Sequence, residues 1–231
     1  MTHLLTSTVA AALLTSIITG CCARPPQDPG QADATPAAEP APVALLESQA
    51  DWDKLNFGAD GEVFFEDNAL HLDMGGPLTG VVYNGDIAEL LGDTLEDYEI
   101  TLEAQRLQGS DFFVGLTFPV GTDGHVTLIM GGWGGGLVGL SNLDHADASM
   151  NSTTQLMQFE SNRWYTVRVA VTGEAIQVWL DGEQLINLDR ANHTDYSLRG
   201  EVMITEPLGL CCYQTHAAYR NMVVKRLPPG E

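Results

Sequence analysis

Seven side chains able to bind or transform a polar ligand fall at strand positions that alternate with a predicted core. They are Glu99, Glu103, Asp111, Phe113, Arg168, Gln177 and Trp179. A sugar ring offers apolar C–H groups to aromatic rings and hydroxyl groups to carboxylates, amides and guanidinium groups. The set therefore suits a carbohydrate site in which Phe113, Arg168 and Trp179 contact the ligand. The same residues also fit an ordinary solvated face.

Two of these acids lie four residues apart on one strand, Glu99 and Glu103. Four residues of regular strand span roughly 13 Å, whereas the carboxyl pair of a retaining glycosidase is about 5 Å apart. They are therefore separate candidates for acid or base chemistry rather than partners. Asp111 is a further candidate.

The segment Gly131–Gly136 holds a tryptophan, Trp133, among glycines that permit close backbone approach and positive φ. Trp133 is the first choice for a residue that stacks on a ligand. A buried tryptophan at a bend of the sheet is the alternative. A phosphate cradle is not expected, because no Lys-Ser/Thr pair follows the glycines.

The polar segment containing Asp144 and His145, with Asp147 and Asn151 beyond it, could line the site or bind calcium through oxygen ligands. No HExxH, paired CxxC or EF-hand pattern occurs, so zinc is not expected. We predict no cofactor and no metal, with calcium as the alternative. The sequence also lacks a G-x-S-x-G elbow, which argues against acyl transfer.

Two adjacent cysteines, Cys211 and Cys212, are predicted to lie beside the ligand site. Adjacent Cα atoms are near 3.8 Å apart, so a disulfide between them would be strained and would form a rigid apolar plate. Two buried, reduced thiols are the other interpretation.

The elements that must position these residues are short runs of alternating apolar side chains separated by Gly, Asp and Asn. In 98–104 the apolar residues share one face. In 111–118 we place Phe112, Val114, Leu116 and Phe118 in the core and Phe113 opposite. The runs 164–171 and 175–180 form the clearest hairpin. Many strands without crossover helices predict an all-β, antiparallel two-sheet sandwich.

The N-terminal segment is uncharged and apolar up to Ile18-Thr19-Gly20-Cys21, which resembles a bacterial lipobox. We predict a lipoprotein signal peptide over residues 1–20, lipidation of Cys21, a Pro/Ala-rich tether over 21–43 and a folded domain over 44–231. A plain secretory signal is the alternative. The protein is accordingly expected in the cell envelope, outside the cytoplasm and attached to a membrane through its lipid only.

The chain carries 31 acidic and 10 basic residues, a net charge of −21. Long-range repulsion therefore argues against nucleic acid and anionic lipid surfaces as partners. Neutral or cationic partners remain.

The runs NRWYTVRVAVTGEAIQVWLDGEQLINLD and PLGLCCYQTHAAYRNMVVKRL resemble the second half of concanavalin A-like, laminin-G-like jelly rolls. YEITLEAQRLQGSDFFVGLTFPVG and LIMGGWGGG are similar to the branch called domain of unknown function 1080, or 3-keto-disaccharide hydrolase domain. The resemblance covers about Trp52 to Leu227 and favours Glu103 over Glu99. It implies a carbohydrate-active domain that hydrolyses glycosidic bonds of 3-keto-glycosides. A glycan-binding module without catalysis and a structural envelope lipoprotein stay open, because this architecture hosts many functions.

Overall fold

The computed structural model of the protein describes residues 41–122 and 124–230. Its strands in chain order are β1 Val43–Ala44, β2 Trp52–Lys54, β3 Val63–Glu66, β4 Ala69–Leu72, β5 Leu78–Tyr83, β6 Tyr98–Gly109, β7 Val114–Pro119, β8 His125–Gly131, β9 Leu137–Ser141, β10 Gln155–Leu156, β11 Trp164–Val171, β12 Ala175–Leu180, β13 Glu183–Asp189, β14 Gly209–Tyr213 and β15 Thr215–Arg226. One short α-helix, α1, spans Ile87–Leu91, and short 3-10 helices span Gln49–Asp51, Arg190–Asn192 and Gly200–Thr205. Gly132–Gly135 forms a tight helical turn.

These strands form two antiparallel sheets. The first sheet has the order β13-β12-β11-β6-β15-β4-β3, with β1 also paired to β15. The second sheet has the order β10-β9-β8-β7-β14-β5-β2. The prediction of an all-β, two-sheet jelly-roll sandwich is confirmed. The first strand of the described residues begins at Val43, which pairs with Val224.

The core lies between the sheets and is built by the predicted alternation. In β11 and β12, Val167, Val169 and Val178 are fully buried and Leu180 nearly so. Val169 lies opposite Val178, and Val167 lies opposite Leu180. The predicted inward face of β6 is buried in the same cluster. The register deduced for these strands is therefore confirmed.

The predicted alternation is wrong at the start of β7. Phe113, expected on the outer face, is fully buried in the main core, where its ring lies 5.1 Å from that of Phe159. Phe112, expected in the core, packs instead in a smaller cluster outside the second sheet. The reason is that β7 begins only at Val114, so residues 111–113 are not extended and do not alternate as a strand does.

The outer face of the second sheet is covered by two segments of chain that lie directly on glycines. A Cβ on Gly139 would lie 2.9 Å from the carbonyl oxygen of Ala148, and one on Gly209 would lie 2.5 Å from that of Thr205. Only glycine permits this approach. The segments 142–154 and 200–205 therefore rest on the sheet and form walls above it.

The predicted signal peptide, the lipidated Cys21 and all of the tether up to residue 40 lie outside the described residues. Among the described residues, no helix is long and apolar enough to cross a membrane.

Candidate functional site

A cleft of about 260 Å³ opens on the outer face of the second sheet, between the segment 200–205 and the glycine-rich turn after β8. Its floor is largely apolar, with Leu78, Phe112, Ile129 and Val202. Its remaining lining carries aromatic, charged and hydroxyl groups from Asp111, Thr127, Trp133, Ser141, Arg199, Glu201 and Tyr213. An apolar floor with a few polar groups is the usual composition of a small-molecule site.

Trp133 stands at the edge of this cleft with 45% of its surface exposed. Its backbone is left-handed, with φ 50° and ψ 49°, a conformation that tryptophan rarely adopts. Asp111 holds the turn, because its Oδ2 accepts a hydrogen bond from Gly134 N at 2.9 Å and its Oδ1 accepts one from Phe112 N at 2.8 Å. The turn therefore displays a large ring toward the cleft. The predicted catalytic Asp111 is a residue that positions Trp133.

The opposite side of the cleft carries a cation and its acids. Arg199 Cζ lies 5.7 Å from the centre of the Trp133 ring. Its guanidinium donates to Glu201 Oε1 at 3.1 Å and to Asp147 Oδ2 at 3.3 Å. The pKa of Glu201 is lowered, because its own backbone N–H and Arg199 both stabilise the carboxylate. An ionised carboxylate and a guanidinium thus face the cleft beside an aromatic ring.

A chain of buried hydroxyl groups fixes the wall of the cleft to the sheet. Thr117 Oγ1 lies 3.0 Å from Thr127 Oγ1 and 2.6 Å from Thr205 Oγ1. Thr205 in turn donates to the carbonyl oxygen of Val202 at 2.6 Å. These threonines are fully buried, so their hydrogen bonds are sheltered from water. The segment that presents Arg199 and Glu201 is therefore firmly seated.

The two adjacent cysteines lie on opposite faces of β14 as free, buried thiols. Cys211 packs under the cleft in the cluster of Phe112, and burial raises its pKa to about 12. Cys212 points into the core, and burial raises its pKa as well. The alternative of a vicinal disulfide is thus wrong, and of the two cysteines only Cys211 lies beside the cleft.

The remaining candidates of the opening set lie on the outer face of the first sheet, with the core between them and the cleft. Glu103 accepts from Arg220 Nε at 2.6 Å, and Glu99 accepts from Arg168 Nη1 at 2.8 Å. The guanidinium of Arg168 lies 3.5 Å from the centre of the Trp179 ring. Glu103, Arg168 and Trp179 therefore do not share a face with Trp133. Alternation identifies an outward position but not the sheet to which it belongs.

Asp144 and His145 also lie away from the cleft, where they fasten two loops together. Asp144 Oδ1 accepts from the backbone N–H groups of Thr194 and Asp195 at 2.9 and 3.1 Å. His193 Nδ1 lies 2.7 Å from Asp144 Oδ2, and His145 lies 3.4 Å from Asp195. The hydrogen bonds from Thr194 and His193 lower the pKa of Asp144 to about 2. The pair thus fixes the loop that leads into Arg199.

Within residues 41–122 and 124–230, no group of three His, Cys, Asp or Glu side chains could hold a metal ion. The oxygens of Asp144 already accept hydrogen bonds from the neighbouring loop. The predictions about metals and cofactors stay predictions.

Of the residues that line the cleft, the sequence pointed only to Asp111 and Trp133 as site residues; those it missed include Phe112, Arg199, Glu201 and Tyr213. Arg199 and Glu201 lie in a segment without strand periodicity, so no pattern singled them out. One signal was present. Gly80, Gly115, Gly139 and Gly209 interrupt strands of the second sheet, and glycine inside a strand often marks close backbone approach.

The family model described as 3-keto-alpha-glucoside-1,2-lyase-like domain matches residues 51–225. The chain belongs to this family. The match covers every strand from β2 to β14 and the whole cleft. A search of the curated proteins found no match.

Three solved structures share the fold. The carbohydrate-binding module CBM66 from Bacillus subtilis is 13% identical, with a TM-score of 0.51 over 76% of this chain and 95% of that chain. A putative glycosyl hydrolase from Parabacteroides distasonis is 12% identical, with a TM-score of 0.50 over 81% and 94%. The Crh5 transglycosylase, in complex with NAG, is 9% identical, with a TM-score of 0.53 over 81% and 83%.

Proposed function

We propose that the cleft of the second sheet binds a sugar ring and that the domain cleaves the glycosidic bond of a 3-keto-glycoside. The observation that carries this proposal is the exposed Trp133 held beside the Arg199–Glu201 pair over an apolar floor. Membership of the family described as 3-keto-alpha-glucoside-1,2-lyase-like supports the substrate class. The fold shared with a carbohydrate-binding module and a transglycosylase agrees with it.

The binding mode follows from the chemistry of the cleft. The Trp133 ring presents an apolar surface to the C–H face of a pyranose. Glu201 accepts hydrogen bonds from sugar hydroxyl groups, and Arg199 donates to hydroxyl or carbonyl oxygens. Each type of group on the sugar therefore meets a suitable partner.

A keto group at C3 offers a route to cleavage that needs no pair of carboxylic acids. The ketone acidifies the neighbouring C2–H, and a base removes that proton to leave an enolate. When the C3 carbonyl re-forms, a double bond forms between C1 and C2, and the C1–O bond breaks with its electron pair on the departing oxygen, which takes up a proton. Addition of water across the new double bond completes a net hydrolysis. We assign Glu201 as the base and Arg199 as the cation that stabilises the enolate oxygen.

A second candidate function is glycan binding without catalysis. It is favoured because Glu201 already pairs with Arg199, and Asp111 holds the turn through both of its oxygens. A carboxylate engaged in this way binds hydroxyl groups well but is a weakened base.

Turnover and binding of glycosides and their 3-keto derivatives by the purified full-length protein distinguish the two functions. Glu201→Gln should abolish turnover of the 3-keto-glycoside while leaving binding measurable, because loss of the base harms the transition state more than the ground state. Glu103→Gln, on the first sheet, is the matched control and should keep its turnover. Loss of turnover in Glu103→Gln alone would place the chemistry on the first sheet. Binding without turnover in the wild type would indicate a binding module. If the wild type shows no binding and no turnover, a structural lipoprotein is the interpretation that remains.

We also propose that Cys21 is lipidated and that the domain works at the cell envelope, outside the cytoplasm. The lipobox-like Ile18-Thr19-Gly20-Cys21 and the Pro/Ala-rich stretch that follows support this.

A further inference from the structure

Arg106, on β6, is the only charged residue among the described residues that is buried, with 8% of its surface exposed. Removal of a charge from water costs several kcal/mol unless an opposite charge and hydrogen bonds compensate for it. We therefore ask whether other groups of this chain supply the hydrogen bonds and the opposite charge that the Arg106 guanidinium needs.

Those partners are few and neutral. Nη2 donates to the carbonyl oxygen of Phe159 at 2.6 Å, and Nη1 donates to that of Gly135 at 3.4 Å. Nε is buried without any hydrogen-bond partner. A guanidinium carries five N–H donors, so most of its donor capacity is unused.

The other arginines of the described chain show the contrast. Five of them lie between 2.6 and 3.1 Å from a carboxylate oxygen: Arg163, Arg168, Arg190, Arg199 and Arg220. Arg226 donates to three carbonyl oxygens of α1. Among the described residues, the one buried cation is thus left without an acid, although the chain carries a net charge of −21.

Arg106 lines a groove of about 420 Å³ on the far side of the glycine-rich turn. Ser110, Gly134 and Gly135 line the same groove. Trp133, the residue before Gly134, lines the sugar cleft, so a single turn borders both spaces. Asp111 lies near this turn, and both of its oxygens accept hydrogen bonds from backbone N–H groups.

We propose that this groove binds the carboxylate of an acidic sugar, with Arg106 as its counter-ion, next to the sugar ring in the cleft. The inference rests on the proposed function and narrows its substrate class to glycans that contain a uronic acid. A carboxylate would supply the missing opposite charge and accept hydrogen bonds from the guanidinium. The net charge of −21 opposes anionic partners at long range, but no acidic residue lines this groove, so a carboxylate bound there meets Arg106 and no adjacent acid.

The test measures binding of D-glucuronate, of its neutral methyl ester and of inorganic phosphate to the purified full-length protein by calorimetry. We expect the wild type to bind glucuronate about tenfold more tightly than the ester, which is the range of a charge-assisted hydrogen bond. Ser110→Glu places an acid at an exposed position of the groove and should remove this preference by pairing with Arg106. Ser110→Gln, of the same length but neutral, should keep it.

The variant Arg106→Lys completes the test. Because Arg106 is buried, thermal unfolding must first show that this variant is folded before its binding is compared with that of the wild type. Lysine keeps the charge and should retain part of the preference for glucuronate. Equal binding of glucuronate and ester would overturn the inference, and so would a preference that Ser110→Glu leaves intact or tighter binding of phosphate than of glucuronate. In those cases ester binding that depends on Trp133 would leave the proposed function standing. If glucuronate binding depends on Arg106 but not on Trp133, the cleft is not the sugar site, whereas the carboxylate site in the groove is supported.

Discussion

Replacement of Trp133 by alanine removes the exposed ring at the edge of the cleft. The residue is 45% exposed, and Arg199 Cζ lies 5.7 Å from the centre of its ring. An aromatic contact contributes about 0.5–1.5 kcal/mol beyond the area it buries. We therefore expect Trp133→Ala to weaken sugar binding by about 1 kcal/mol, roughly fivefold.

Glycine is a second test at this position, because the backbone at residue 133 is left-handed and alanine bears the same steric cost there as tryptophan. Glycine adopts that conformation without the steric cost of a Cβ atom. Trp133→Gly should therefore lose as much binding as Trp133→Ala and show an unfolding temperature no lower than that of the alanine variant. This comparison separates loss of the ring from loss of the turn.

Trp179→Ala is the matched control, since it removes a tryptophan from the outer face of the first sheet. Calorimetric titration with a panel of glycosides, together with thermal unfolding, should show sugar affinity unchanged in this variant. If Trp179→Ala weakens binding while Trp133→Ala does not, the cleft is not the sugar site and the reasoning fails.

Three further predictions concern the core, the loop clamp and the anchor. Val169→Asp buries an unpaired charge and should lower the free energy of unfolding by at least about 3 kcal/mol, measured by urea denaturation; near-wild-type stability would refute the strand register. Asp144 has its pKa lowered from 3.8 to about 2, so its stabilising effect is complete above pH 3.8 and disappears as the pH falls toward 2. In Asp144→Asn the urea midpoint should therefore fall less between pH 3.8 and 2 than it does in the wild type. If the two proteins show the same dependence of the midpoint on pH, the hydrogen bonds of Asp144 do not stabilise the fold. Labelling with a fatty-acid analogue should mark the wild type and not Cys21→Ala, and equal labelling would remove the anchor.

The sequence predicts the central strands of the first sheet well because each has one face in the core and one in solvent. Buried and less buried positions alternate along β12, along β6 from Tyr98 to Leu107 and along β11 from Trp164 to Val169, and most of the buried ones are apolar. The alternation also places Val169 opposite Val178 through the hairpin. Where successive residues of a strand face the core and solvent in turn, the sequence alternates between apolar and polar residues in the same way.

The start of β7 shows where that reasoning ends. Both Phe112 and Phe113 are apolar, and both are largely buried, but in clusters on opposite sides of the second sheet. The outer side of this sheet is itself covered by chain, so apolar residues occur on both faces and the alternation loses its meaning. Only the position of the covering segment shows which of the two phenylalanine rings lies in the main core and which lies on the outer side of the sheet.

The candidate site depends on a further property that alternation does not carry. Glu103 and Trp133 are each outside the core, but they belong to different sheets. Deciding which outward positions meet requires the strand order, and that order joins β6 to β11 and β15 but not to β8. The sequence therefore predicted the kinds of residue that a sugar site needs but not which of them share a surface.

The two outer faces differ because of what occupies their outward positions. On the first sheet, large charged side chains pair with one another, as Glu103 does with Arg220 and Glu99 with Arg168, and these pairs satisfy each other in solvent. On the second sheet, glycines at positions such as 139 and 209 admit covering segments, and those segments bring Arg199 and Glu201 beside Trp133. Small-molecule sites are concave, and the covering segments make the outer face of the second sheet concave. In the part of the chain that the structure describes, the outer face of the first sheet has no such walls near its ion pairs. The same sandwich thus has one face whose charges are already matched and another whose aromatic, cationic and acidic groups surround a space of ligand size, and this is why we propose the second sheet as the sugar site.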